Sequence, residues 1–136
     1  MNGFTWPVRV YYEDTDAGGV VYHANYLRFM ERARTEWLRA CGYGQDALRR
    51  EQGLLFVVHG LSLQFRAPAR FDDRLTVVSS LLEARGSRCT FQQDIHRDDD
   101  AATLCEGQVT VVCIDAERFR PRPMPAALRR ELQHAR

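Results

Sequence analysis

Residues 11–29, YYEDTDAGGVVYHANYLRF, carry the strongest structural signal in this chain. They place a carboxylate, Asp16, just before a pair of glycines, and glycine favours a tight turn. The apolar spacing that begins after this turn predicts a helix from Asn25 to Cys41. The first four amides of a helix have no intrahelical acceptor and carry partial positive charge. The stretch therefore places an anionic oxygen beside free backbone donors.

Such a combination is suited to the hydrolysis of an activated acyl compound. Backbone donors can hold the oxyanion that develops on a carbonyl, while a carboxylate attacks the carbon or takes a proton from water. Both routes stay open for Asp16, because the helix field favours the ionised carboxylate whereas burial against an acyl chain would make it a stronger base. A structural interpretation competes, since Asp14 and Asp16 could simply hydrogen-bond the backbone at a turn.

Composition limits the alternatives. A length of 136 residues suits a single domain, predicted here to span residues 1–136. The 19 basic and 18 acidic residues give a net charge of +1, so no nucleic-acid partner is predicted. The chain contains no lysine, which excludes Schiff-base chemistry and leaves guanidinium groups and backbone amides to meet phosphates.

The sequence lacks the patterns that would indicate a membrane span, secretion or a metal site. No apolar run approaches the length of a membrane span, and the first residues show no secretory signal pattern, so we expect a cytoplasmic protein. The four cysteines show no metal-binding or redox spacing, and we expect them to be small buried apolar residues. No metal site is predicted.

The rest of the chain predicts an α+β fold. Turn-like breaks separate the β-type segments, and such short connections favour antiparallel pairing. One long helix must then pack on one antiparallel sheet. Pro7 suits an edge strand or a strand's beginning. Candidate strands cover residues 4–12, 54–65, 74–82, 87–96 and 103–114, and shorter helices are predicted at 46–51 and 126–134.

The run YEDTDAGGVVYHANY at 12–26, continued by ERARTE at 31–36, resembles the signature of the 4-hydroxybenzoyl-CoA thioesterase family. The similarity is closest to the acyl-CoA thioesterases associated with the bacterial Tol-Pal system, and it extends more loosely to about residue 123. It implies the hotdog fold, in which one long helix packs on a curved antiparallel sheet. The implied reaction hydrolyses an acyl-CoA to free acid and CoA. Coenzyme A is then part of the substrate, and no separate cofactor is implied.

The resemblance also assigns catalytic roles. Asp16 matches the catalytic carboxylate, and the backbone N–H of His23 matches the donor that polarises the thioester carbonyl. The His23 imidazole is a second candidate, because imidazole can orient water or move a proton near neutrality. Its alternative role is capping and packing at the helix entry. Asp14 is expected to support the site structurally.

Further residues are predicted to bind the substrate. Arg66, Arg85 and Arg88, with Ser87, flank turns at predicted strand ends, where they could reach the phosphates of coenzyme A. The competing view is that these arginines are ordinary solvated charges. Tyr12 and Val58 are candidates for lining the acyl pocket, and the alternative for both is a place in the core.

A single sheet around one helix leaves strand edges and a sheet face exposed, so we expect a second copy to cover them. The resembled family forms dimers and often tetramers, which implies a homodimer or homotetramer with the active site at an interface. The expected substrate is acyl-CoA, with acyl carrier protein as a further partner. The main alternative is a non-catalytic hotdog module that binds acyl-CoA or acyl carrier protein. A hotdog dehydratase is a third hypothesis, but the histidine and acidic pair of that family cannot be identified in this sequence.

Overall fold

The computed structural model describes residues 3–134 of the predicted domain 1–136. Within that range the chain forms five strands, three α-helices and one 3-10 turn. In chain order they are β1 (Phe4–Arg9), the 3-10 turn (Tyr12–Asp14), α1 (Asn25–Ala40), α2 (Gln45–Gln52), β2 (Leu54–Phe65), β3 (Arg74–Arg85), β4 (Arg88–Arg97), β5 (Thr103–Asp115) and α3 (Ala126–His134).

The five strands form one sheet in the order β1-β3-β4-β5-β2, with every neighbouring pair antiparallel. Buried and less buried residues alternate along β3 and β4, as expected for strands with one face against a core. α1 packs on that face, and its apolar stripe contributes the fully or nearly fully buried side chains of Phe29, Met30, Ala33 and Trp37. The predicted α+β class is confirmed.

α1 ends at Ala40, one residue before the predicted end at Cys41, and Gly42 terminates it in a left-handed conformation with φ of 90°. The Gly42 amide donates to the Arg39 carbonyl and the Tyr43 amide to the Leu38 carbonyl, which is the Schellman pattern. A residue with a Cβ is disfavoured at this φ. The glycine therefore fixes where the chain leaves the helix.

Four of the five predicted strands have different ends in the structure: β4 differs by one residue at each end, β5 by one at its C-terminal end, and β1 and β3 by three at theirs. β1 was expected to reach residue 12, but it stops at Arg9. The Val10 amide and carbonyl instead bond to Asp73 and Asp72, and the chain enters the 3-10 turn. β3 was expected to end at residue 82, yet it continues to Arg85, because its hairpin with β4 keeps pairing up to Arg85 and Arg88.

The two edges of the sheet differ. β1 is one edge, and Pro7 lies within it, as the sequence predicts. β2 is the other edge, with 12 residues and a bulge between Val58 and Gly60. Large apolar side chains of this strand stay exposed, among them Val58, Leu61 and Phe65. A long apolar edge of this kind is a surface that proteins normally cover. None of the helices described is long and apolar enough to cross a membrane.

The prediction of buried cysteines holds for three of the four. Cys89, Cys105 and Cys113 are buried, while Cys41 is partly exposed, and none of the four forms a disulfide in the described chain. Burial raises the pKa of Cys89 to about 12 and that of Cys105 to about 11. Both thiols therefore stay protonated at neutral pH, and the protonated form is a poor nucleophile.

We expect a thiol-reactive disulfide reagent at pH 8 to modify the native protein mainly at Cys41. The other three thiols should react only slowly, because they are buried and protonated. Modification followed by absorbance and located by peptide mass mapping measures this. All four should react quickly in denaturant, which is the control. Fast modification of Cys89 in the native protein would contradict the packing described.

Candidate active site

The segment that carries Asp16 is anchored by its neighbour Asp14, which is only 5% exposed. One oxygen of the Asp14 carboxylate accepts the Tyr11 amide at 2.8 Å, and the other accepts the Asn25 side-chain amide at 2.8 Å. The Asp14 carbonyl also accepts the Tyr22 amide at 2.8 Å. Asp14 therefore ties the end of the 3-10 turn to the first residue of α1, which is the structural role expected for it.

Asp16 lies at the start of the tight turn between these two anchor points. Its amide donates to the Val20 carbonyl, its own carbonyl accepts the Gly19 amide, and Gly19 has a φ of 79°. The Asp16 carboxylate accepts the Gly18 amide at 2.8 Å through one oxygen. The side chain is exposed, so its second oxygen is open to solvent or substrate. The structural role of Asp16 at the turn thus leaves the carboxylate accessible.

His23 occupies the entry to α1. Its side chain is exposed, and its ring lies 4.5 Å from the Tyr22 ring and 6.4 Å from the Phe65 ring between centroids. Tyr22 accepts the Asn25 amide through its carbonyl, which closes the turn before the helix. Within residues 3–134 the His23 amide makes no hydrogen bond. This backbone donor is available to an external acceptor.

Asp16 and His23 line one open cleft of about 370 Å³. Arg66 borders the same cleft and forms an ion pair with Glu106 through its Nε at 2.7 Å. Three residues with polar side chains, Asp16, His23 and Arg66, therefore line one space. The remaining lining residues are Val20, Val21, Tyr26, Phe65, Ala67 and Pro68.

Residues 66–68 of the loop 66–73 form part of the cleft wall, and several bonds hold this loop in place. The Val21 amide donates to the Ala69 carbonyl at 2.9 Å, and the Ala69 amide donates to the Tyr26 hydroxyl oxygen at 3.1 Å. Burial raises the pKa of Tyr26, and the bond from the Ala69 amide opposes that effect. Arg97 on β4 donates to the Pro68 carbonyl at 2.6 Å and pairs with Asp73.

Tyr12 and Val58 do not lie in the cleft. Tyr12 is 77% exposed and stacks on Phe71 with 4.0 Å between ring centroids, in a separate depression. Val58 is 50% exposed on β2 and borders cavities farther along α1. The alternative that both belong to the core is wrong, because the 3-10 turn directs Tyr12 outward and Val58 sits on an edge strand.

Arg85, Ser87 and Arg88 form the hairpin between β3 and β4. Asp16 lies near the opposite end of β3, since Arg9 pairs with Arg74 and Val20 bridges Arg70. Twelve strand residues separate the two ends by roughly 35 Å. One protomer therefore does not bring the hairpin to the cleft, and any joint action of the two requires a second copy.

Sequence reasoning missed three residues that shape the site: Tyr26, Phe65 and Arg97. Tyr26 was assigned to the apolar stripe of α1, and nothing local showed that its hydroxyl reaches Ala69. Phe65 and Arg97 lie on strands that come near Asp16 only through the sheet. No group of three or more His, Cys, Asp or Glu able to hold a metal ion occurs in residues 3–134.

The fold and the site together define a class of protein. It is an α+β protein in which one long helix lies on one antiparallel sheet and begins beside a turn that carries a carboxylate. Residues 10–132 match the model of the Thioesterase-like superfamily. The chain belongs to this family, and the hotdog fold inferred from the signature is confirmed.

Relatives and solved structures agree with that assignment. The chain is 44% identical over 133 residues to the acyl-CoA thioesterase YbgC of Haemophilus influenzae, covering 98% of this chain and 96% of that protein. It is 47% identical over 125 residues to the acyl-CoA thioester hydrolase YbgC of Escherichia coli O6:H1, covering 92% of each. A 1,4-dihydroxy-2-naphthoyl-CoA thioesterase from Synechocystis superposes with a TM-score of 0.89 at 27% identity, over 96% of this chain and 95% of that one.

We expect Asn25→Leu to lower the free energy of unfolding by about 1–3 kcal/mol, because it leaves a buried Asp14 oxygen without its donor. Urea unfolding followed by circular dichroism measures the change. Glu13→Gln, at an exposed neighbouring carboxylate, is the matched control and should shift stability by less than about 0.5 kcal/mol. Equal effects of the two substitutions would show that Asp14 does not anchor the turn.

Proposed function

We propose that this protein is an acyl-CoA thioesterase and that Asp16 is its catalytic carboxylate. The observation that carries the proposal is the cleft itself, which is lined by Asp16, whose carboxylate is accessible, and by His23, whose backbone amide has no acceptor within residues 3–134. The names of its relatives support the substrate class. Coenzyme A enters as part of the substrate, and the reaction needs no separate cofactor.

In the proposed reaction, the thioester carbonyl oxygen accepts the His23 amide, where the start of α1 stabilises negative charge. Asp16 then acts by one of two routes. As a nucleophile it forms a mixed anhydride, expels the CoA thiolate, and is freed when water hydrolyses the anhydride. As a base it takes a proton from water, whose oxygen attacks the carbonyl carbon. Either route consumes one water and releases an acid and CoA.

The His23 imidazole is available for a second role. His23 is exposed and lines the cleft, with its ring tilted against Tyr22 and edge-on to Phe65, so it could pass a proton to the departing thiolate. Arg66 borders the same cleft and is a candidate for contact with the CoA moiety. Its ion pair with Glu106 is exposed, so the guanidinium can be redirected at small cost.

The remaining substrate residues act across an interface in this proposal. The apolar edge of β2 pairs with the same edge of a second copy, which covers Val58, Leu61 and Phe65. The second copy then supplies Arg85, Ser87 and Arg88 to the phosphates of CoA, and its Val58 to the acyl group. Tyr12 lies outside the cleft, where it stacks on Phe71. It can contact only a part of the substrate that extends beyond the cleft to this pair of rings.

A cytoplasmic location is part of the proposal. It is supported by four cysteines that remain free in the described chain, since a reducing compartment keeps thiols in that state. Acyl carrier protein thioesters are a second substrate class for the same chemistry. If the protein binds acyl-CoA but releases no thiol, the non-catalytic module is correct instead.

We expect Asp16→Asn to reduce the release of CoA thiol from acyl-CoA by a factor of at least about 100, because the amide neither attacks nor accepts a proton. Initial rates over a panel of short, long and aromatic acyl-CoA substrates measure this. Asp99→Asn, at an exposed carboxylate in the β4–β5 turn, is the matched control and should retain full activity. An active Asp16→Asn variant would remove Asp16 from the catalytic role.

Single-turnover hydrolysis in heavy-oxygen water separates the two routes. Only nucleophilic attack can leave label in the Asp16 carboxylate, because water that attacks the anhydride at the Asp16 carbonyl adds its oxygen there and the acid departs with an original Asp16 oxygen. Mass spectrometry of the peptide that contains Asp16 detects the label. Label in this peptide after one turnover establishes the nucleophilic route, whereas label in the released acid alone is the result expected of the general-base route.

Leu61→Lys should convert the assembled protein to monomers and abolish most of its activity, because it places a charge on the apolar edge of β2. Light scattering coupled to size exclusion gives the mass, and the thiol assay gives the activity. Phe119→Lys, at an exposed aromatic residue outside this edge, is the control and should change neither. A fully active monomer would refute the interface site.

A further inference from the structure

The turn that carries Asp16 is held by backbone pairing on both sides of its returning segment. On one side, the Asp16 amide donates to the Val20 carbonyl at 2.9 Å. On the other side, Val20 forms an antiparallel bridge with Arg70, and the Val21 amide donates to the Ala69 carbonyl at 2.9 Å. The position of Asp16 therefore depends on the loop that contains Arg70.

This loop, residues 66–73, is tied to the sheet by Arg97 at the end of β4. The Arg97 side chain is only 16% exposed. Its Nη2 donates to the Pro68 carbonyl at 2.6 Å, and its Nε donates to the Asp73 carboxylate at 3.2 Å. The same Asp73 oxygen accepts the Arg70 amide at 2.9 Å. One guanidinium therefore holds the loop directly and, through Asp73, at the residue that pairs with the turn.

The three nitrogens of the Arg97 side chain serve three different acceptors. Nε and Nη2 reach the loop, whereas Nη1 donates to the Asp100 carboxylate at 3.0 Å. A guanidinium spreads its donors over a rigid plane, but a lysine amine offers a single point of charge. Lysine would therefore keep only part of these contacts. Asp100 lies in the β4–β5 turn, outside the loop, so its contact with Arg97 can be removed separately.

We propose that Arg97 is a positioning residue for the reaction and that it acts on Asp16 through the loop 66–73 and Val20. Arg97 is outside the set of residues, within 3–134, that lines the cleft, so it acts without touching the substrate. The inference rests on the proposed function, since it is hydrolysis that requires Asp16 to be aligned. A displacement of about 1 Å at the reacting groups is enough to lower a rate by about 100-fold.

Steady-state kinetics of CoA thiol release test the proposal. Arg97→Gln should lower kcat by at least about tenfold and change KM by less than about threefold, because it misplaces Asp16 without altering a residue of the cleft. Arg97→Lys should give an intermediate kcat. Asp100→Asn is the matched control, because it removes an ion pair from the same guanidinium and leaves both loop contacts. This pair is exposed on the Asp100 side, so kcat should stay within about twofold.

Chemical rescue separates positioning from a general loss of stability. Millimolar methylguanidinium should restore part of the kcat of Arg97→Ala, because it can occupy the space of the lost side chain and bind the same acceptors. It should not raise the activity of Asp16→Asn. Thermal unfolding of each variant establishes that it is folded at the assay temperature. If Arg97→Gln and Arg97→Ala do not fold, the kcat of Arg97→Lys relative to Asp100→Asn decides the question.

Hydrogen exchange followed by mass spectrometry measures the coupling without catalysis. The peptide that contains residues 16–22 should exchange faster in Arg97→Gln than in Asp100→Asn, while the C-terminal half of α1 exchanges equally in both. Should the unaltered protein release no thiol, the proposed function fails, and the exchange rates still decide whether Arg97 holds the turn. The inference alone is overturned if Asp16→Asn is inactive but Arg97→Gln is fully active, or if the two variants exchange equally at residues 16–22.

Discussion

The hydrogen bonds of the buried Asp14 carboxylate are the constraint on which the proposed active site depends. They join the Tyr11 amide before the turn to the Asn25 side chain at the first residue of α1. The tight turn at residues 16–20 lies between these points, so both bonds hold it in place relative to the helix. Asp16 and the His23 amide are consequently held at one cleft, although both belong to an exposed segment. A buried carboxylate stays favourable here because each oxygen has a donor.

The sequence predicts most of the fold because its signals are local. The predicted bounds of β2 and α3 match the structure, and α1 differs by one residue at its end. Apolar periodicity and a C-terminal glycine are enough for such elements. The end of β1 is different, since Val10 is drawn away by backbone bonds to Asp72 and Asp73, more than 60 positions later. No local pattern contains that information.

The candidate site likewise contains some residues that local sequence patterns predict and others that they do not. Asp16 and His23 are seven residues apart and joined by one turn, so their shared position follows from the signature. Arg66 arrives in the cleft from another element, at a strand end where the sequence suggested it. The sequence does not predict the roles of the Tyr26 hydroxyl and Arg97. Their contacts with Ala69 and Pro68 depend on how the loop 66–73 folds over the helix entry. The orientation of these side chains is a tertiary property.

Within residues 3–134, the ion pairs that hold the loop 66–73 are made by guanidinium groups. Arg97 pairs with Asp73 and Asp100, and Arg9 pairs with Asp72. Burial acts to lower the pKa of Arg97, but its bonds to the two carboxylates outweigh burial and raise it. A lysine amine loses its proton at about pH 10.4, whereas a guanidinium keeps its charge beyond about pH 12. The wall therefore retains its electrostatic contacts in alkaline solution, where a lysine-based equivalent would lose them.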